Sequence, residues 1–207
     1  MSRLPLGVGG AFYINLEHRK DRRTEVEAEL DAIGIPCERF PAIQWSPGIV
    51  GCNYSHIAVL KEARRRGYES VLIFEDDFQF IVDKDAFWSI MSTIEGEVAD
   101  SYDVIMLSYN IPDESACRPH SENLIKILGA HTTSGYIVHS RMYDKLIVLW
   151  DMATPKLIET GEHWIYALDQ IWKLLQPGSN WYASKVRLGL QRPSFSDIGQ
   201  QFVANGC

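Results

Sequence analysis

The sequence lacks several features that would place it in a class at once. Its four cysteines show no paired spacing of the disulfide or metal-binding kind, so we expect reduced thiols and a cytoplasmic location. No apolar stretch reaches the roughly 18 residues of a membrane span. Pro5 and the glycines at positions 7, 9 and 10 interrupt the mildly apolar N-terminus, so we do not expect it to act as a signal peptide.

An excess of positive charge is also absent. The 20 lysines and arginines are outnumbered by 27 acidic residues, and the net charge of −7 argues against non-specific binding of nucleic acid. Hydrophobic residues make up 46% of the chain and charged residues 23%, as in ordinary folded proteins. A length of 207 residues is enough for a sizeable core, and we expect a single domain over residues 1–207.

Short apolar strands alternate with amphipathic helices in the first half of the sequence. Residues 13–16 predict a strand, and residues 17–34 predict a helix that ends at a glycine. Ser55 is expected to cap a second helix ending at Gly67. The runs SVLIF and YDVIMLSY are continuously apolar, which is typical of strands covered on both faces. This alternation predicts an α/β sheet built from βαβ units.

The second half follows the same pattern with one gap. Residues 110–123 contain two prolines and no periodicity, which predicts a loop. The strand-like runs LIKIL and SGYIVHS come next, and Ser140 is expected to cap the helix that follows them. A last amphipathic helix is predicted over residues 162–175.

Three consecutive carboxylates end the buried strand in the stretch YESVLIFEDDFQF. In open α/β sheets, ligands bind outside the carboxyl ends of the strands, so Glu75, Asp76 and Asp77 lie at the expected ligand edge. Glu75 and Asp77 point to the same side and repel each other unless a cation lies between them. Oxygen ligands of this kind suit Mg²⁺ or Mn²⁺ bound to phosphate. The alternative to a metal site is that these three acids form a solvated turn or cap the next helix.

Three segments, in order, resemble glycosyltransferase family 25, which includes lipooligosaccharide and procollagen galactosyltransferases. They are FYINLEHRKDRR, then GIVGCNYSHIAVLKEARRRGYESVLIFEDD, and then TSGYIVHSRMYDKLI. The late ALDQ and RPSFSDI are less specific matches, and together the segments extend from about residue 11 to residue 198.

The resemblance implies a GT-A fold, which binds a nucleotide sugar on a mixed, mostly parallel sheet flanked by helices. Asp77 would bind Mn²⁺ or Mg²⁺ together with the donor diphosphate, and Glu75 or Asp76 would lie near the ribose or the metal. The leading glutamate departs from a strict D-x-D motif. Asp169 in ALDQ matches the late aspartate of the family, which would act as catalytic base in an inverting transfer. The alternative is a solvated helical aspartate, and Glu162 and His163 are weaker candidates for the base or for a metal ligand. Asp197 would close over the site.

The donor site has further candidates on both sides of this strand. Asn15, Arg19 and Arg22 lie where the first strand meets the first helix, a fitting cradle for uracil, ribose or phosphate. The alternative for the arginines is a solvated helical turn.

Two other positions belong to the same set of candidates. Ser55 and His56 are either donor-site residues or an ordinary cap and a buried histidine, and His56 could hold a site carboxylate in place. Gly135 would let the backbone approach a sugar or a diphosphate, unless it marks a plain bulge.

The predicted activity is transfer of a hexose, galactose or glucose, from a UDP-sugar to a hydroxyl of a glycan or hydroxylated polypeptide. One alternative is a nucleotidyltransferase, although the loop after the first strand lacks the glycines such an enzyme needs. The other is a glycan-binding domain that has lost its chemistry.

Overall fold

The computed structural model describes residues 4–196 and 201–203, so Asp197 lies outside the described residues. The helices are α1 (Lys20–Ile33), α2 (Gly48–Arg65), α3 (Lys84–Val98), α4 (Ser140–Thr160), α5 (His163–Tyr166) and α6 (Leu168–Ile171). The strands are β1 (Gly10–Asn15), β2 (Glu38–Pro41), β3 (Ser70–Glu75), β4 (Phe78–Phe80), β5 (Val104–Met106), β6 (Cys117–Pro119), β7 (Leu124–Ile127), β8 (Gly135–His139), β9 (Trp181–Ser184), β10 (Gly189–Gln191), β11 (Ser194–Ser196) and β12 (Gln201–Val203). Short 3-10 turns cover Pro5–Gly7, Glu114–Ala116 and Trp172–Leu174.

Eight of these strands form one mixed sheet in the order β2-β1-β3-β8-β5-β9-β7-β6. Strand β1 is parallel to β2 and β3, and β5 is parallel to β9, whereas β8 runs antiparallel to both of its neighbours. Strand β7 is antiparallel to β9 and β6, so six of the eight strands share one direction and β7 and β8 oppose it. The predicted fold class, a mixed and mostly parallel sheet flanked by helices, is confirmed.

Helices cover both faces of the sheet. Because side chains alternate along a strand, β3 sends Val71 and Ile73 to one face and Leu72 and Phe74 to the other. The first face packs on α2 and α4 through Ile57, Leu60, Leu146 and Trp150. The second packs on α1 and α3 through Val26, Leu30, Phe87 and Met91. The continuous apolar run of β3 thus follows from burial on both faces.

Parallel pairing of β1 with β3 sets the geometry of the ligand edge. Ile14 lies opposite Glu75, so the next residues, Asn15 and Asp76, leave the sheet side by side. The first helix begins at Lys20 and ends at Gly34, whose φ of 82° is the left-handed conformation that glycine adopts without strain. The glycine stop agrees with the prediction, whereas the helix begins three residues later than residue 17.

Three sequence-based predictions need correction. Helix α2 begins at Gly48, so Ser55 lies in its interior and does not cap it. The expected loop over 110–123 contains a 3-10 turn and strand β6, which pairs with β7. Helix α4 continues past Pro155 to Thr160, and its N-cap is His139 rather than Ser140. Among the described residues, no helix is long and apolar enough to cross a membrane.

The predicted helix over 162–175 is broken into α5, α6 and a 3-10 turn. Ala167 has a ψ of 149°, an extended value that interrupts the helical path. Asn53 of α2 stabilises the break, because its amide donates to the Tyr166 carbonyl at 3.3 Å and accepts from the Leu168 N–H at 3.1 Å. A continuous amphipathic helix would place Trp164 on its apolar face. In the broken segment, the side chain of Trp164 is 61% exposed.

Candidate active site at the carboxyl ends of the strands

Asp76 is held by residues of the first strand and first helix. Its Oδ2 accepts from Asn15 Nδ2 at 2.7 Å, and its Oδ1 accepts from Arg22 Nη1 at 2.9 Å. Burial raises the pKa of Asp76, although Arg22 and Asn15 both oppose the shift. With both oxygens engaged by the chain, Asp76 ties β3 to β1 and α1.

Glu75 turns to the opposite side, as the alternation of side chains requires. Thr133 Oγ1 donates to its Oε1 at 2.6 Å, and His56 Nε2 lies 3.3 Å from the same oxygen. Burial alone would raise the pKa of Glu75, but the contacts with His56 and Thr133 and the charge of Arg22 outweigh it and lower the pKa. Glu75 is therefore ionised and negatively charged at neutral pH.

Asp77 is the carboxylate that the protein leaves least satisfied. Its Oδ1 is buried and has no hydrogen-bond partner among the described residues, and its Oδ2 lies 3.3 Å from Arg22 Nη1. Burial and the negative charges of Glu75 and Asp76 together raise the pKa of Asp77 to about 7, although the charge of Arg22 opposes the shift. The positive charge of a bound cation would lower this pKa and offset the repulsion from Glu75 and Asp76, so the arrangement fits a metal ligand.

The turn that carries Asp77 is fixed by its neighbour Phe78. A Cβ at either Gly135 or Gly189 would overlap the Phe78 ring, so both glycines make room for that ring. The space beside the Cα of Gly135 is thus filled by Phe78, and an approach of a sugar or a diphosphate to the backbone there stays a prediction. Asp77 is also held through its backbone carbonyl, which accepts from the Arg192 N–H at 2.6 Å.

The cradle predicted around Asn15 is largely occupied by the chain itself. Asn15 Nδ2 donates to Asp76 and to the Arg19 carbonyl, and its Oδ1 accepts from Arg39 Nε at 3.1 Å. The side chain of Arg19 is paired with Asp21 through two nitrogens, while Arg22 reaches the carboxylates. Sequence reasoning missed Arg39, whose role depends on the pairing of β2 with β1.

His56 is completely buried beneath Glu75. Its Nδ1 lies 2.8 Å from the Tyr136 hydroxyl, and Tyr136 belongs to β8, the neighbour of β3. The prediction that His56 holds a site carboxylate agrees with its 3.3 Å distance to Glu75. Ser55 instead bonds to backbone, since its hydroxyl donates to the Gly51 carbonyl at 2.6 Å and accepts from the Ile43 N–H at 2.8 Å.

Asp169 approaches the same cluster from α6. Its Oδ2 accepts from the Thr132 N–H at 3.3 Å, in the segment that also supplies Thr133 to Glu75. Burial raises the pKa of Asp169, and the negative charge of Glu75 adds to the increase. The spacing of ALDQ gave no hint of Thr132 or Thr133, which reach the site through the loop before β8.

The thiol of Cys52 lies near all four of these carboxylates. Burial raises the pKa of Cys52, and four carboxylates raise it further, in the order Glu75, Asp169, Asp77 and Asp76. The structure therefore brings the predicted base and the three strand-end acids to one edge of the sheet. Arg22 pairs with two of these acids, Asp76 and Asp77.

The chain is similar in sequence to named glycosyltransferases. A glycosyltransferase 25 family member of Drosophila melanogaster is 25% identical over 190 residues, which is 76% of this chain. Procollagen galactosyltransferase 1 of Danio rerio is 25% identical over 176 residues, or 69% of this chain. The chain is similar to glycosyltransferase family 25. The resemblance predicted from the three sequence segments is thus confirmed.

The family 25 relatives are much longer proteins. The aligned region spans 30% of the fly protein and 29% of the zebrafish protein. No family model matches the chain. A solved glycosyltransferase involved in glycosylation of the major capsid of PBCV-1 shares the fold, with a TM-score of 0.50 and 10% identity over 84% of this chain and 80% of that structure.

Proposed function

We propose that this chain is a metal-dependent glycosyltransferase. It would transfer a hexose, galactose or glucose, from a UDP-sugar to a hydroxyl of a glycan or a hydroxylated polypeptide, with inversion at the anomeric carbon. The similarity to family 25 proteins over most of the chain supports the reaction class. The assembly of four carboxylates at the ligand edge of the sheet supports the chemistry.

The observation that carries the proposal is the state of Asp77. A buried carboxylate oxygen without a hydrogen bond is costly, and Asp77 Oδ1 is in this state among the described residues. Glu75 and Asp76, by contrast, are engaged by Thr133, Asn15 and Arg22. Asp77 is thus the carboxylate free to bind a hard cation such as Mn²⁺ or Mg²⁺, with Glu75 as the second candidate ligand.

The chain supplies a catalytic base besides the metal site. Asp169 would take the proton of the acceptor hydroxyl while the hydroxyl oxygen bonds to the anomeric carbon and the bond from that carbon to the diphosphate oxygen breaks. Its raised pKa favours proton uptake by the base. The bound metal would stabilise the negative charge that develops on the departing diphosphate.

Arg22 and His56 would position these groups rather than react. Arg22 holds Asp76 and lies within 3.3 Å of Asp77, so it limits the rotation of both side chains. His56, supported by Tyr136, keeps Glu75 ionised on the opposite side of the strand end. A preorganised site of this kind loses little free energy to rearrangement during the reaction.

The test is release of UDP from UDP-galactose and UDP-glucose in the presence of Mn²⁺, with and without EDTA and with glycan or hydroxylysine-containing acceptors. We expect release that EDTA abolishes and that an acceptor increases. Asp77→Asn should remove metal-dependent donor binding, and Asp169→Asn should lower kcat by about 10²- to 10⁴-fold while donor binding persists. Asp144→Asn, a change at an exposed ion pair on α4, is the matched control.

The other outcomes separate the alternatives. Pyrophosphate released from a nucleoside triphosphate would indicate a nucleotidyltransferase. Binding of a glycan without turnover of any donor would indicate a domain that has lost its chemistry. Unchanged donor affinity in Asp77→Asn would remove Asp77 from the metal site.

A further inference from the structure

A second group of metal-ligating side chains lies just behind the strand-end carboxylates. Cys52 and His56 are four residues apart on α2, so they occupy the same face of the helix. Both face Glu75, and the thiol, imidazole and carboxylate ligand atoms all lie within 4.8 Å of one another. This cluster of Cys52, His56 and Glu75 plays no part as a unit in the sugar transfer proposed above.

Hydrogen bonds engage only one of the two ring nitrogens of His56. Its Nδ1 lies 2.8 Å from the Tyr136 hydroxyl, whereas its Nε2 is buried without a hydrogen bond to any described residue. The distance of 3.3 Å from Nε2 to Glu75 Oε1 is short, but the direction is not that of a hydrogen bond. Metal-bound histidines show the same arrangement, with one ring nitrogen held by a protein oxygen and the other free for the ion.

We infer that Cys52, His56 and Glu75 form a binding site for a borderline-soft cation, Zn²⁺. One sulfur, one nitrogen and one oxygen ligand form a donor set that zinc accepts, and three protein ligands leave the fourth tetrahedral position open. Manganese and magnesium prefer oxygen donors alone, so the thiol distinguishes this site from the one proposed at Asp77.

The site needs only a small adjustment to hold the ion. Zinc–ligand bonds of about 2.0 to 2.3 Å place the ligand atoms of a tetrahedral site about 3.3 to 3.8 Å apart. The longest separation in this cluster does not exceed 4.8 Å, so a contraction of at most about 1 to 1.5 Å is required. Cys52 and Glu75 are half-buried, whereas His56 is buried.

Charge around the cluster favours a cation. The charges of Glu75, Asp76, Asp77 and Asp169 all act on the Cys52 thiol, whereas Arg22 pairs with Asp76 and Asp77. On binding, the thiol S–H bond breaks, the proton leaves to solvent and the thiolate bonds to the metal. Thr133 and Tyr136 would serve as outer partners that orient Glu75 and His56.

The experiment uses Co²⁺ as a coloured probe for zinc sites. Purified, metal-free and reduced protein is titrated with CoCl₂ without oxygen, and the sulfur-to-cobalt charge-transfer band is followed in the near ultraviolet. We expect a band that saturates at one cobalt per chain and disappears on addition of ZnSO₄. Cys52→Ser should lack the band, while Cys37→Ser, which changes another non-disulfide cysteine, should keep it.

Tyr136→Phe provides a second test that leaves all three ligands in place. Loss of the outer hydrogen bond should weaken cobalt binding about 10-fold or more, with the band still reached at high cobalt. Absence of the band in the wild type, or an equal band in Cys52→Ser, would overturn the inference and leave His56 and Glu75 as a simple pair. The readout involves no sugar transfer, so it can succeed or fail independently of the proposed function.

Discussion

Replacing Asp77 by asparagine should stabilise the metal-free protein while removing its metal site. The carboxyl group of Asp77 is buried beside Glu75 and Asp76, and these causes raise its pKa from 3.8 to about 7 in the folded state. Asparagine has nearly the same shape and carries no charge at any pH. The substitution therefore isolates the cost of keeping one negative charge in this site.

The expected magnitude follows from the difference in pKa. Between pH 4 and pH 7, the folded state keeps the proton of Asp77 that the unfolded state has already released, so the wild type loses stability as the pH rises. The difference between a pKa of 3.8 and a pKa of about 7, at 1.36 kcal/mol per pKa unit, lowers the free energy of unfolding of the wild type by about 4 kcal/mol above pH 7. For a protein of this size, a difference of about 4 kcal/mol in stability changes the Tm by roughly 8 to 16 °C.

The assay is urea or thermal unfolding of both proteins from pH 4 to pH 8 in EDTA. Near pH 4, the Asp77→Asn protein and the wild type should have the same free energy of unfolding, and the variant should become progressively more stable than the wild type up to pH 8. At pH 8, Mn²⁺ should stabilise only the wild type. Manganese at 100 times its Kd would contribute about 2.7 kcal/mol. Parallel stability curves across this pH range, or a less stable asparagine variant at pH 8, would refute the reasoning.

Two further predictions concern the packing that positions the site. Gly135→Ala places a Cβ against the ring of Phe78, and overpacking should destabilise the protein by about 1 to 3 kcal/mol in urea unfolding; a loss below about 0.5 kcal/mol would show that the ring can move aside. Asn53→Ala leaves the N–H of Leu168 and the carbonyl of Tyr166 without their side-chain partner, at a cost of about 1 to 3 kcal/mol. Hydrogen exchange at the Leu168 amide should then accelerate, and an unchanged exchange rate would contradict the role of Asn53.

Local sequence signals were sufficient wherever the physical cause is local. The stripe of α1 and its glycine stop predict that helix correctly, because helical spacing and a left-handed cap depend only on neighbouring residues. The continuous apolar run of β3 predicts a strand covered on both faces, and the rule for parallel strand ends places its three acids at the ligand edge.

Local sequence patterns gave the wrong secondary structure where contacts with a distant part of the chain determine it. The segment after Glu162 has a helical period, yet Asn53, more than a hundred positions earlier, binds the backbone on both sides of Ala167 and holds the break. Strand β4 consists of three residues and pairs with β10 from the far end of the chain, so no local pattern identifies it.

The sequence by itself determined the class of fold, the resemblance to family 25 and the location of Glu75, Asp76 and Asp77. It could not assign different roles to these three acids, because their surroundings come from β1, α1, α2 and the loop before β8. Only tertiary packing satisfies Asp76 with Asn15 and Arg22 while Asp77 keeps a buried oxygen unpaired. Identical side chains thus acquire different chemistry, because burial and hydrogen bonds to distant residues set the energy of each charge.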